Sequence, residues 1–186
     1  MNLLASRASR MAVQITLLLA LLGVGTFVLL RPYLSDDEGL YNQGRIDQVV
    51  SQGPVTIANV EWKLNSLKVY TKILNGDGEP IELDGPAGTV IVLATITVTP
   101  KPGLYLKDHG FTCDAVLRDD KGNTWKDQQA YGYPLPTYCG DNDHPFTMDK
   151  PAKIAKIFIV PRNDVPNLIG LTTEDFYVHK RVLITP

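Results

Sequence analysis

The sequence predicts an all-β sandwich of about seven short strands, preceded by a single N-terminal transmembrane helix. From residue 55 onward, apolar side chains recur mostly at every second position, which is the period of a strand. Clusters of Gly, Pro, Asn and Asp separate these runs, and no run has a helical period. Before Arg31, twenty consecutive residues carry no ionisable side chain.

The apolar segment, residues 11–30, reads MAVQITLLLALLGVGTFVLL. About 20 helical residues span the roughly 30 Å of a bilayer's hydrocarbon core. Arg7 and Arg10 precede the segment, whereas Arg31 is followed by an acidic stretch. The more basic flank stays in the cytoplasm, so residues 1–10 are predicted to be cytoplasmic and the rest of the chain extracytoplasmic.

A cleaved secretory signal is the alternative interpretation of this segment. Such a signal has an apolar run of about 7–15 residues and then a pair of small residues at the cleavage site. Here the run from Ile15 to Leu30 continues into Arg31-Pro32-Tyr33 without such a pair. An uncleaved anchor in the cell membrane is therefore favoured.

Residues 31–53 are predicted to form a juxtamembrane stalk, and residues 54–186 the sandwich domain. Ser35 and Glu38 have the spacing of a capping box, so a short helix is expected from Ser35 to about Val50. Gly39 and Gly44 weaken that helix, because each costs up to about 1 kcal/mol in a helix interior.

Four runs carry the strand pattern within the domain. Residues 88–100 are expected to form a strand with one buried face, whose second face begins apolar and emerges into water toward the end. Residues 154–160 are apolar on both faces and are expected to be central. Alternation over 111–117 and over 176–184 predicts two more strands, and residues 119–123 read as a hairpin turn between Leu117 and Trp125. The apolar face flips near Ala58-Asn59, which predicts a β-bulge there. Trp62 and Trp125 lie in strand patterns and are expected in the core or at a sheet edge.

Charge excludes one class of partner. From residue 32 onward, 15 of the 18 Lys and Arg remain against all 20 Asp and Glu, which gives this part about −5. Nucleic-acid binding requires clustered cations that displace counterions, so no nucleic-acid partner is expected.

The two cysteines, Cys113 and Cys139, are predicted to form a disulfide, because the compartment assigned above is oxidising. Closing a loop of about 27 residues would stabilise the fold by roughly 3.5 kcal/mol in the chain-entropy model. Two cysteines without further ligands make a poor zinc site.

Catalytic and metal-binding interpretations are weaker than the structural ones. Cys139 and His144 could pair as thiolate and base, but an oxidised Cys139 is no nucleophile. Oxygen ligands for Ca²⁺ could come from a first acidic loop, with Asp141, Asp143 and Asp149, or from a second one, with Asp77, Glu79, Glu82 and Asp84. Neither loop has the EF-hand pattern, and His109, His144 and His179 lack metal spacing. The sequence therefore predicts no catalytic residue, no metal site and no cofactor.

The most unusual stretch is residues 131–138, with Tyr131, Tyr133 and Tyr138 among two prolines. Tyrosine rings in loops cover much contact area at little entropic cost, so these three are the predicted partner-binding residues. The competing interpretation packs the rings over Trp125 and the edge of the core.

Three segments carry a resemblance to a known family: residues 55–64, the threonine-valine run 95–99 and residues 156–161. Together they resemble the small immunoglobulin-like extracytoplasmic domains of unknown function on bacterial membrane proteins and lipoproteins, especially in actinobacteria. The resemblance covers about residues 55–186 and implies an immunoglobulin-like sandwich without catalytic residues. The long loop that ends at Cys139 departs from the plainest members.

Three functional hypotheses follow. The first is a non-enzymatic, single-pass membrane protein whose domain binds an extracytoplasmic or membrane protein, as an accessory or assembly subunit. The second is a ligand- or ion-binding sensor with a site at Asp141 and Asp143. The third is an extracytoplasmic hydrolase or thiol enzyme, which is disfavoured by the lack of a catalytic motif.

Overall fold

The computed structural model describes residues 2–34, 37–106, 110–140 and 145–186. These residues divide into two compact units, one up to Gln43 and one from Gly44 to Pro186. The second unit contains the sandwich, which therefore begins before the predicted boundary at residue 54.

The first unit is helical. Helix α1 covers Asn2–Leu34 and helix α2 covers Asp37–Asn42. Within α1, Met11–Leu30 is long and apolar enough to cross a membrane, with a mean hydropathy of 2.4. The prediction of one helix from Ser35 to Val50 is wrong at its C-terminal end, because α2 ends at Asn42 and Gln48–Ser51 is a strand. Ser35, the predicted cap, lies outside the described residues.

The second unit holds nine strands in its described part. They are β1 Gln48–Ser51, β2 Val55–Ile57, β3 Val60–Tyr70, β4 Thr89–Pro100, β5 Val116–Asp119, β6 Thr124–Lys126, β7 Ala152–Pro161, β8 Leu168–Asp175 and β9 Lys180–Thr185. A short 3₁₀ turn, Val165–Asn167, precedes β8. The predicted count of about seven missed the short strands, of which β2 and β6 have three residues each.

The strands form two sheets, with orders β1-β9-β8-β5-β6 and β2-β3-β4-β7, and the predicted β-sandwich is confirmed. Strand β1 pairs with β9 in parallel, and the other pairs of strands are antiparallel. The order along the chain differs from the immunoglobulin pattern. Three consecutive strands, β2, β3 and β4, lie side by side in one sheet, whereas the ABED and CFG sheets of an immunoglobulin constant domain contain no three consecutive strands.

The core fills the space between the two sheets. Its fully buried members include Ile96, Leu117, Phe158 and Leu171, and it also holds both cysteines. A second apolar cluster covers the outer face of β4 and β7, where Ile91, Leu93, Ala155 and Ile157 meet residues from the 73–83 and 130–135 segments. These loops explain why β4 and β7 are apolar on both faces.

The prediction that residues 154–160 form a central strand is wrong, because β7 ends the order of its sheet. Its outer edge is covered by the loop after β6 instead of by another long strand. The backbone N–H of Gln128 donates to the Ile157 carbonyl at 2.7 Å, and the Ala155 N–H donates to the Pro136 carbonyl at 2.8 Å. An apolar pattern on both faces of a strand thus indicates that both faces are buried. It does not show that the strand lies in the middle of its sheet.

The predicted bulge at Ala58-Asn59 is also wrong. These two residues form the tight turn between β2 and β3, with Ile57 opposite Val60 in the register. Both have positive φ, 50° and 57°, as a type I′ hairpin turn requires. The β-bulge lies further on, between Leu64 and Ser66. The turn escaped detection because Ala58 is not a residue that favours positive φ.

Replacing Ala58 with Gly is expected to raise the free energy of unfolding by about 0.5–1 kcal/mol, because glycine adopts positive φ without the steric cost that a Cβ brings. Denaturant unfolding of the detergent-solubilised chain, followed by tryptophan fluorescence, measures the change. Asn59→Gly is the matched control and should gain less, since asparagine already tolerates this conformation. A loss of stability in Ala58→Gly would contradict the assigned turn.

The hairpin predicted at residues 119–123 is confirmed, since β5 and β6 pair on either side of it. Asp119 organises the turn: its carboxylate accepts the backbone N–H groups of Lys121, at 3.0 Å, and of Asn123, at 2.7 Å. Burial alone would raise the pKa of Asp119, but the hydrogen bonds from Asn123 and Lys121 outweigh it and lower that pKa.

The two other predicted strands are confirmed only in part. Strand β5 begins at Val116, so Phe111, Cys113 and Ala115 precede it. Cys113 and Ala115 are nevertheless buried in the core. In the C-terminal run, Val182 and Ile184 are buried on β9, whereas Phe176 and Val178 lie in the turn between β8 and β9 and are exposed.

Candidate functional site

The three predicted contact tyrosines face different surroundings. Tyr131 is 80% exposed, and its hydroxyl donates to Gln129 Oε1 at 3.0 Å. Tyr133 packs against the second apolar cluster. Burial raises the pKa of Tyr133, and the nearby Tyr70 raises it further. Tyr138 is 38% exposed and lines a small cavity beside the disulfide. They do not form one continuous exposed surface, although Tyr131 remains available to a partner.

The predicted disulfide is confirmed, with Cys113 and Cys139 joined by an S–S bond of 2.03 Å. Both cysteines are buried, and the Phe111 N–H donates to the Cys139 carbonyl at 2.7 Å. Gly110 and Gly140 lie beside this bond, where the two segments pass so closely that a Cβ on either glycine would meet the backbone of the other segment. The disulfide therefore fixes the long loop after β6 to the segment that leads into β5, and the Cys139 sulfur is not available as a nucleophile.

No cluster of metal-binding side chains supports the metal hypotheses within the described part of the chain. In that part, no group of three His, Cys, Asp or Glu side chains is arranged to hold an ion. The predicted ligands Asp141 and Asp143, together with His109 and His144, lie outside the described residues. In the second acidic loop, Asn75 Oδ1 accepts the backbone N–H groups of Asp77, at 3.0 Å, and Glu79, at 2.8 Å, which makes this loop an ordered turn.

A cleft opens at one end of the sandwich, and its volume is about 410 Å³. The β2–β3 turn, the segment after β4, the segment before β5 and the β8–β9 turn form its walls. Trp62, Leu104 and Phe111 supply apolar surface inside it. We call this the end cleft. Its volume lies within the range of about 300–1,000 Å³ that is usual for ligand pockets.

Trp62 is the unusual residue of the end cleft. Only 3% of its surface is exposed, and its indole Nε1 has no hydrogen-bond partner among the described residues. Buried polar groups normally find a partner, so this buried and unpaired donor is an exception. The prediction of Trp62 as a core residue is confirmed, but periodicity could not show that its N–H is left unpaired.

Carboxylates give the end cleft its electrostatic character. The described lining includes Asp114, Glu174 and Asp175 but no Lys, Arg or His. Glu174 is held by Arg181, whose Nη2 lies 2.7 Å from its Oε2, and Asp175 Oδ1 accepts the Tyr177 N–H at 2.9 Å. These contacts position two of the three carboxylates on the wall.

Large apolar side chains surround the mouth of the end cleft. Phe176, Tyr177 and Val178, which we call the hairpin tip, are 59%, 98% and 66% exposed, and Tyr105 is 82% exposed. This surface was not predictable from the sequence, because the tip contains no Gly, Pro or Asn that would mark a turn. Its one signal was Lys180, which interrupts the apolar alternation.

Strand β1 begins at the same end of the sandwich. Gln48, the first residue of β1, lies opposite Val182 near the start of β9. Asp47 Oδ2 accepts the Arg181 backbone N–H at 2.8 Å. This hydrogen bond lowers the pKa of Asp47. Burial opposes that effect in part, and Arg45 adds to it. The end cleft, the hairpin tip and the start of β1 thus share what we call the entry end.

No protein-family model and no curated protein matches the sequence. Among solved structures, the chain is similar to an uncharacterized beta-sandwich protein from Clostridium difficile 630, with 12% sequence identity and a TM-score of 0.44. That similarity covers 76% of this chain and 94% of the other. The chain's own two sheets and its N-terminal apolar helix define the fold class, a β-sandwich protein with such a helix.

Proposed function

We propose that the chain is a single-pass membrane protein whose sandwich unit lies outside the cytoplasm and binds a protein partner without catalysing a reaction. The length and hydropathy of Met11–Leu30 support an anchor, and Arg7 and Arg10 before it support a cytoplasmic N-terminus. The buried disulfide supports an oxidising compartment for the sandwich. The resemblance to bacterial immunoglobulin-like extracytoplasmic domains supports the same location.

The observation that carries the binding function is the apolar surface of the entry end. The hairpin tip and Tyr105 place four large apolar side chains in solvent, and three of them, Tyr105, Phe176 and Tyr177, line the end cleft. Exposed apolar groups gathered in this way mark interaction sites, and aromatic residues are enriched at the centres of protein interfaces. We therefore place the partner-binding surface at the entry end and treat the Tyr131 loop as the alternative.

Site-specific photo-crosslinking in the native membrane tests this proposal. A photoreactive phenylalanine analogue would replace Tyr177 in the full chain, and in a matched control it would replace Tyr131, which is similarly exposed. We expect irradiation at position 177 to give one discrete, larger adduct that contains a second protein. Position 131 should give none.

The two residues separate the possible outcomes. An adduct at position 131 alone would move the interface to the tyrosine loop and overturn the assignment to the entry end. If neither position yields a protein adduct while both variants reach the membrane, the chain does not bind a protein through either surface. Adducts of lipid size at position 177 would also contradict a protein partner.

The proposed location has its own test. Protease added to sealed, right-side-out membrane vesicles should remove a tag placed at the C-terminus, and sequencing of the intact chain should recover residues 1–10. A protected tag would place the sandwich in the cytoplasm. A mature N-terminus within residues 31–40 would instead identify a cleaved signal sequence.

A further inference from the structure

We propose that the Cys113–Cys139 disulfide controls partner binding at the end cleft, because it holds one wall of that cleft in place. This inference rests on the proposed function, since it assigns redox control to the same binding surface. It is carried by three observations: a wall that two cavities share, the links between that wall and Cys139, and the open volume behind the wall.

Residues 111–114 form a boundary between two cavities, and we call them the shared wall. Phe111, Thr112 and Asp114 line the end cleft, and the same three residues also line the small cavity beside the disulfide. Cys113 lies within this wall and lines the small cavity too. Any movement of the shared wall therefore changes the shape of the end cleft.

The shared wall precedes strand β5 and is held by contacts with other segments. The disulfide joins it to Cys139, and the Phe111 N–H donates to the Cys139 carbonyl at 2.7 Å. The Phe111 ring packs edge-on against the ring of Phe146, with 5.3 Å between their centroids. On the β8 side, Thr173 Oγ1 donates to the Asp114 carbonyl at 3.3 Å. The disulfide is the covalent link in this set, so cutting it removes the strongest restraint on the wall.

Space behind the shared wall allows it to move. The small cavity has a volume of about 230 Å³, and polar side chains such as Thr137 and Asp127 line it, so water can fill it. A wall released from Cys139 can exchange between several positions by displacing this water. A partner would then have to order the wall as it binds, which lowers the affinity by about tenfold.

Reduction of the disulfide is a two-electron step. A dithiol reductant supplies two electrons and two protons, the S–S bond breaks, and Cys113 and Cys139 become thiols. The dithiol closes to its own disulfide in the same exchange. Dithiothreitol is the probe for this step, and reoxidation of the two thiols reverses it.

Hydrogen exchange followed by mass spectrometry tests the wall by itself. The full chain in nanodiscs would be compared with the double variant Cys113→Ala/Cys139→Ala and with the control variant Val92→Ala. Both variants lose global stability, so faster exchange through global unfolding affects both of them. We expect the peptide that covers residues 110–115 to exchange at least tenfold faster in the double variant than in the control.

Val92→Ala is a suitable control because it weakens the core far from the cleft. Val92 is fully buried on β4, and truncating a buried side chain lowers global stability. Val98, which lies opposite Trp62 of the end cleft, is six residues further along the same strand, or about 20 Å away. The control keeps the disulfide and the shared wall.

Photo-crosslinking at position 177 in native membranes then measures partner binding. The adduct yield should fall by about tenfold in the double variant and stay unchanged in Val92→Ala. Dithiothreitol should lower the yield of the otherwise unmodified chain to the same extent, and reoxidation should restore it. The double variant has no disulfide to reduce, so its yield shows whether dithiothreitol acts on the partner instead.

The two measurements separate the possible failures. Equal exchange of residues 110–115 in the two variants would show that the disulfide does not hold the wall, and the inference would be wrong. Faster exchange with an unchanged adduct yield, or an equal fall in yield for Val92→Ala, would remove the control of binding but keep the protein partner. If the chain with its disulfide intact gives no adduct at position 177, the proposed function fails and the inference fails with it.

Discussion

Replacing Cys113 and Cys139 together with Ala is expected to lower the free energy of unfolding by about 3.5 kcal/mol. The two residues are separated by 26 positions, and freeing a loop of this size restores that much conformational entropy to the unfolded chain. Alanine suits both positions because both are buried in the apolar core. Denaturant unfolding of the solubilised chain, followed by fluorescence, measures the difference.

Reduction of the unmodified chain is the control for lost packing. If loop entropy dominates, the reduced chain and the double variant should unfold with nearly the same free energy. A much larger loss in the double variant would assign the effect to the missing sulfur atoms in the core. A difference below about 1 kcal/mol for both would show that the loop after β6 is held by its backbone contacts, such as that of Phe111 with Cys139.

The parts of the fold that were predictable from sequence are those with an uninterrupted period of two. Strand β4 was correct because the alternation of residues 88–100 is long and is set by the core between the sheets. The disulfide followed from compartment and cysteine count. The hairpin at 119–123 followed from its turn residues, with Asp119 accepting the hydrogen bonds that such turns need.

The errors arose where a tertiary contact decided the local structure. Val49 and Val50 join a sheet because β9 offers them an open edge, and no local signal encodes that partner. Ala58 adopts the positive φ of a tight turn, a conformation that is usually adopted by Gly or Asn. The second apolar face of β7 was read as evidence for a sheet neighbour, whereas a loop covers it.

The position of the candidate site was not predictable from the sequence. The count of tyrosines favoured the loop of residues 131–138, whereas the exposed aromatic side chains of the end cleft lie in other segments. The entry end combines residues from distant segments, such as Trp62, Tyr105 and Tyr177, which meet only through the sandwich topology. An exposed Phe-Tyr-Val run looks like a strand until the turn that contains it is known.

Asp127→Ala is expected to destabilise the sandwich by about 2 kcal/mol, because it leaves a buried ammonium group without its ion-pair partner. Lys156 is only 3% exposed, and it faces the core on β7 between Ile154 and Phe158. Its Nζ lies 2.6 Å from Asp127 Oδ2. Removing one member of a fully buried pair costs about 3–5 kcal/mol. The Asp127 side chain is 24% exposed and the pair lines a cavity of about 230 Å³ that water can enter, so a smaller loss is expected.

A double-mutant cycle distinguishes a lost ion pair from general damage to the loop. Lys156→Met removes the charge but keeps a long apolar side chain, and it should cost less than about 1 kcal/mol, since it leaves only a partly exposed carboxylate unpaired. Adding Lys156→Met to Asp127→Ala should then restore most of the stability, because no buried charge is left without a partner. If the double variant is as unstable as Asp127→Ala, the loss comes from the loop that Asp127 begins and not from the lost ion pair. Water in the cavity would then solvate the ammonium group of Lys156 in the Asp127→Ala variant.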